Sequence, residues 1–82
     1  MLTRDWTPLV LAELRRHGLE PGPGDRPADL RERLNEVYVE AIRALKAQRQ
    51  AGAFPAPEYA DRVRTLKEDH PLLGLPLDRW QT

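Results

Sequence analysis

The sequence predicts an all-α fold: a three-helix bundle with one long central helix, closed by an extended apolar C-terminal arm. Three observations carry this. Apolar residues recur every three or four positions through most of the chain, the period of a helix with one buried face. Proline stands at the head of each periodic segment, as Pro8, Pro27 and Pro57, where its missing N–H costs nothing. Glycine follows the first two segments, as Gly18 and Gly52, where a left-handed residue ends a helix.

The first helix is expected over about 7–17. Thr7 is a good N-cap before Pro8, its hydroxyl able to accept one of the free amides of the first turn. Trp6 can pack back on Leu11 as a hydrophobic staple. Val10, Leu11 and Leu14 make one apolar face, with Glu13, Arg15 and Arg16 towards water. Gly18 should end the helix and deliver Leu19 onto Leu14. Residues 19–27 contain three prolines and two glycines with no periodicity, which reads as a loop. Gly22 and Gly24 lack the third glycine, the lysine and the preceding strand of a phosphate-binding loop.

The second helix is expected over about 27–50. Leu30, Leu34, Val37, Tyr38, Ala41, Ile42 and Leu45 share one face, Val39 falls opposite, and Asp29 stands one turn before Arg33 in the favourable orientation for an ion pair. At 1.5 Å per residue this helix spans roughly 36 Å. A compact chain of this length has a diameter near 30 Å (about 12 Å radius of gyration). The helix should therefore project, so that either the protein is elongated or the exposed end of the helix meets another chain. The third helix is expected over about 57–69, with Tyr59, Val63 and Leu66 as its buried stripe. A link of about five residues makes the second and third helices an antiparallel hairpin. Leu30, Leu34, Val37, Ile42, Leu45, Val63 and Leu66 are the expected core. The arm, 70–82, carries four leucines and Trp80, too much apolar area to leave in water. It is expected to run extended across the helices, with a short turn around Asp78–Trp80, docking either on its own bundle or on a partner.

Composition removes many functions. The chain is one small domain of 82 residues, with thirteen basic and thirteen acidic residues, a balance unlike that of dedicated nucleic-acid or anionic-membrane binders. It contains no cysteine and no serine, which excludes thiol chemistry and a Ser-His-Asp apparatus. Met1–Asp5 does not read as a secretory leader, and no apolar run reaches the roughly 18 residues of a membrane span. The longest, Leu72–Leu77, is broken by Gly74 and Pro76. The expected location is the cytoplasm. The preference for arginine over lysine suits a GC-rich genome or a thermophile.

From Leu45 the chain reads LKAQRQAGAFPAPEYADRVRTL. Gly52, the apolar Phe54 two residues later, and Glu58-Tyr59 at the start of the next helix resemble the SHOCT motif, a short helical hairpin. The resemblance covers residues 45–66, about a quarter of the chain. It departs where Pro55 and Pro57 replace the usual polar capping residues and in the leucine-proline tail. It implies oligomerisation or partner binding without catalysis.

Few residues invite chemistry. Glu32, Glu36 and Glu40 line one strip of the second helix, but no Glu-x-x-His pair accompanies them as in helical carboxylate metal sites, so a solvated salt-bridge face is expected. His17, four residues after Glu13, and His70, before Pro71, are the only histidines. Both read as helix-end residues. No catalytic residue, cofactor or metal site is expected. The expected function is a non-catalytic interaction module, a homodimer or an accessory subunit, with Tyr38, Phe54, Leu72, Leu73, Leu75, Leu77 and Trp80 as partner-facing candidates. The alternative is a nucleic-acid-associated regulator using Arg15, Arg16, Arg62, Arg64 and Lys67, which steep salt dependence would reveal.

Overall fold

Residues 5–82 are described by a computed structural model. The expectation that Met1–Asp5 is not a secretory leader falls, but for Asp5, outside them. Three helices form, α1 (Pro8–Arg16), α2 (Pro27–Gln50) and α3 (Tyr59–Glu68). Their ends follow the local chemistry. The Thr7 hydroxyl accepts the Val10 amide at 3.3 Å, satisfying one unpaired donor of the first turn. Gly18 closes α1 at φ 77°. The Gly18 amide donates to the Arg15 carbonyl at 3.0 Å and the Leu19 amide to the Leu14 carbonyl at 2.9 Å, a Schellman stop. Gly52 repeats the device after α2 at φ 76°, with the Ala53 amide on the Gln48 carbonyl at 2.9 Å.

The core gathers at one end. Val10 and Leu14 of α1, Leu30 and Leu34 of α2, Leu72 and Trp80 are buried together, with Trp6, Leu19, Leu73, Leu75 and Leu77 packed around them. This head is stitched across both ends of the described chain. Trp6 and Gln81 form an antiparallel bridge, the Thr7 amide donates to the Trp80 carbonyl at 3.1 Å, and the Thr82 amide donates to the Asp5 carbonyl at 2.9 Å. The buried Trp80 indole N–H is satisfied by the Leu75 carbonyl at 3.1 Å.

The other end is an arm. The second half of α2 and α3 form the antiparallel hairpin, tipped by the buried Phe54, with the Arg62 guanidinium 4.2 Å from its ring centroid. The molecule measures 55 × 18 × 16 Å, with a Cα radius of gyration of 15.4 Å, well above the roughly 12 Å of a compact chain this long. The overlong α2 therefore projects as its length requires.

Several expectations are corrected. Val37, Ile42, Leu45, Val63 and Leu66 are only half-buried, because two packed helices cover one side of each stripe and a third layer is missing along the arm. The C-terminal segment is not extended. It folds into two 3-10 turns, Pro71–Gly74 and Leu77–Arg79, which bring Leu72 and Trp80 into the core. Pro55 similarly introduces a 3-10 turn at Ala56–Glu58 before α3. Asp29 does not pair with Arg33. Its carboxylate accepts the Arg26 amide at 2.9 Å, capping α2, while Arg33 reaches back to Asp25 at 3.1 Å.

Candidate functional site

Of the residues expected to face a partner, Phe54, Leu72 and Trp80 are buried within their own chain, at 7%, 3% and 0% exposure. They are structural, and that part of the expectation is corrected. Leu73, Leu75 and Leu77 are half-buried against the core. Tyr38 is half-buried too, with its ring edge-on to His70 at a centroid distance of 5.3 Å. Leu9, 68% exposed, is a large apolar side chain on the surface of α1, and a single such residue is ordinary.

Apolar surface remains around Tyr38, Leu73 and Leu77 at the head and on the arm. A groove of ≈ 780 Å³ runs between α2 and α3. Its walls are two helical stripes, Ala41, Ala44, Leu45 and Gln48 on α2, and Arg62, Thr65, Leu66 and Asp69 on α3. Each stripe follows i, i+3, i+4, i+7, the signature of one helix face. Ala41, Ala44 and Thr65 are small enough for another helix to approach closely. The antiparallel course of the hairpin puts Arg62 towards its tip and Glu68 and Asp69 towards the head.

The arginine clusters are largely neutralised. Arg15 pairs with Glu20 at 2.8 Å. Arg16 pairs with Glu13 at 2.7 Å and with Asp69 at 2.6 Å. Arg62 pairs with Glu58 at 3.4 Å and Arg64 with Asp61 at 3.3 Å. Of the five basic candidates, Lys67 alone has no carboxylate partner among the described residues. A phosphate backbone would have to displace these carboxylates, which weighs against electrostatic nucleic-acid binding. The acidic strip of α2 is also solvated: Glu40 pairs with Arg43 at 2.6 Å and both are well exposed.

The electrostatics follow from the pairs. Hydrogen bonding from Arg16 holds the Asp69 carboxyl below the ordinary aspartate range. The Gly22 amide, then Arg33, does the same for Asp25, and Arg15 for Glu20. Stabilising the charged form is what lowers a carboxyl pKa.

One cluster escaped sequence reasoning. His17, at the C-terminal cap of α1, meets His70, which lies just past α3. Their rings stack at 4.2 Å between centroids with 23° between planes. His17 Nε2 lies 2.9 Å from the Asp69 carbonyl oxygen and His70 Nδ1 lies 2.8 Å from the Leu66 carbonyl oxygen. His70 Nε2 is buried with no hydrogen-bond partner among the described residues. Spacing offered His17 only the nearby Glu13, which instead binds Arg16. Nothing in the sequence couples positions 17 and 70, more than fifty residues apart.

No family model, curated protein or solved structure matches the chain. No helix among the described residues is long and apolar enough to cross a membrane.

Proposed function

We propose that the chain is a small, non-catalytic cytosolic interaction module that self-associates through the α2–α3 arm. The groove between the two stripes carries this reading. Ala41, Ala44, Leu45 and Leu66 give its walls an apolar stretch between the charged Arg62, Glu68 and Asp69, which suits helix packing. A second copy suits it best. A twofold axis across the groove would set Arg62 of one copy opposite Glu68 of the other at both ends, the self-complementarity an isologous interface requires. Two hairpins joined in this way would make a four-helix bundle and supply the layer missing over Leu45, Val63 and Leu66. The SHOCT-like stretch 45–66 lies in the hairpin, and its resemblance implies oligomerisation or partner binding.

Light scattering during size-exclusion chromatography tests the proposal. The expected result is a species of twice the 9.4 kDa chain mass, converted to monomer on dilution. Ala44→Glu should give a folded monomer with unchanged helical circular dichroism. A wild-type chain that remains monomeric up to about millimolar concentration, corresponding to roughly 4 kcal/mol of binding, overturns self-association.

A further inference from the structure

We propose that His17, Asp69 and His70 form a binding site for a divalent transition-metal ion, with Zn²⁺ the best match to two nitrogens and one oxygen. One ligand atom from each residue lies within 4.8 Å of the other two. The carbonyl oxygens facing the imidazoles can only accept, so the hydrogens can be placed. At 2.8 Å from the Leu66 carbonyl oxygen, His70 Nδ1 must carry the proton it donates. In the neutral ring this leaves the buried Nε2 as a bare lone pair with no partner among the described residues. His17 likewise donates from Nε2 to the Asp69 carbonyl oxygen, leaving its Nδ1 bare. Each imidazole is therefore oriented by a backbone carbonyl on one side and presents a lone pair on the other, the arrangement that supports metal-binding histidines. A buried acceptor without a donor is costly, and a cation is one group that satisfies it.

The arrangement is that of a metal-free form. The rings stack with 4.2 Å between centroids and 23° between planes, whereas ligation at about 2.1 Å per Zn–N bond requires their lone pairs to converge on one point. Convergence falls to His17, which is half-buried at the end of α1 and would exchange its bond to the Asp69 carbonyl for the metal, while His70 is buried and held by the Leu66 carbonyl. Arg16 competes for the third ligand, since it holds Asp69 Oδ1 at 2.6 Å. Loading would pin the end of α1 to the turn after α3. It leaves a fourth position for water or an outside ligand, and it does not depend on self-association.

Titration calorimetry of the full chain with ZnCl₂ at pH 7.5, with thermal unfolding followed in parallel, tests the site. One ion per chain and a rise in Tm that grows with Zn²⁺ concentration are expected. His17→Gln and Asp69→Asn should each weaken binding about tenfold or more. Arg16→Gln should tighten binding by releasing Asp69. His70→Gln should abolish it, and because that residue is buried, the His17 and Asp69 variants keep the test independent of folding. No binding at about 100 μM Zn²⁺, or binding unchanged in both His17→Gln and Asp69→Asn, overturns the proposal.

Discussion

Replacing Trp80 by alanine should remove most of the stability of the chain, although the residue lies third from its end. Trp80 is fully buried, 0% exposed, in contact with a core drawn from α1, α2 and the 3-10 turns. Truncating a buried tryptophan costs about 3–5 kcal/mol from lost transfer free energy and the cavity left behind. The indole hydrogen bond to the Leu75 carbonyl adds about 1 kcal/mol. A domain of this size is stable by only about 4–12 kcal/mol. Trp80→Ala should therefore be largely unfolded or lower the urea midpoint by several molar, taking an m-value of about 1 kcal/mol/M. Trp80→Phe keeps much of the buried area but loses the hydrogen bond, so its loss should be intermediate. Urea titration followed by far-ultraviolet circular dichroism measures all three proteins, with Trp6 as a fluorescent reporter in each variant. A Trp80→Ala stability within about 0.5 kcal/mol of wild type would place the C-terminal segment outside the fold and refute the reasoning.

Gly52→Ala should cost about 1–2 kcal/mol, because the residue sits at φ 76° with open space around it, leaving backbone strain as the penalty. Gly74→Ala, also in open space but without a positive φ, should be neutral or stabilising by up to about 1 kcal/mol, and equal effects in thermal melts would contradict this contrast. Stability should also fall in acid. The Asp69 and Asp25 carboxyls titrate lower when folded than when unfolded, so their contribution is complete above the ordinary aspartate pKa and is lost as pH drops through the folded values, below about pH 4. Arg16→Gln and Arg33→Gln should each flatten that decline in urea midpoints between pH 7 and pH 3, and parallel profiles for variants and wild type would show that the pairs do not carry it.

Local physics determined much of this protein. Thr7, Pro8, Gly18, Pro27 and Gly52 bound α1 and α2 because capping and left-handed glycine act within a few residues. The 24 residues of α2 required it to project beyond a compact globule because helix length is fixed per residue. Only the tertiary structure decided what each apolar residue touches. Phe54, Leu72 and Trp80 looked available to a partner, since pattern alone cannot tell a chain docking on itself from one docking elsewhere. Val63 and Leu66 looked like core because periodicity identifies an apolar face without saying how many neighbours cover it. Arg33 chose Asp25 over Asp29 because the α2 cap claimed Asp29 first. The meeting of His17 with His70 is the furthest from the sequence: it arises only when the turn after α3 folds back against the end of α1, and no local spacing encodes a contact across half the chain.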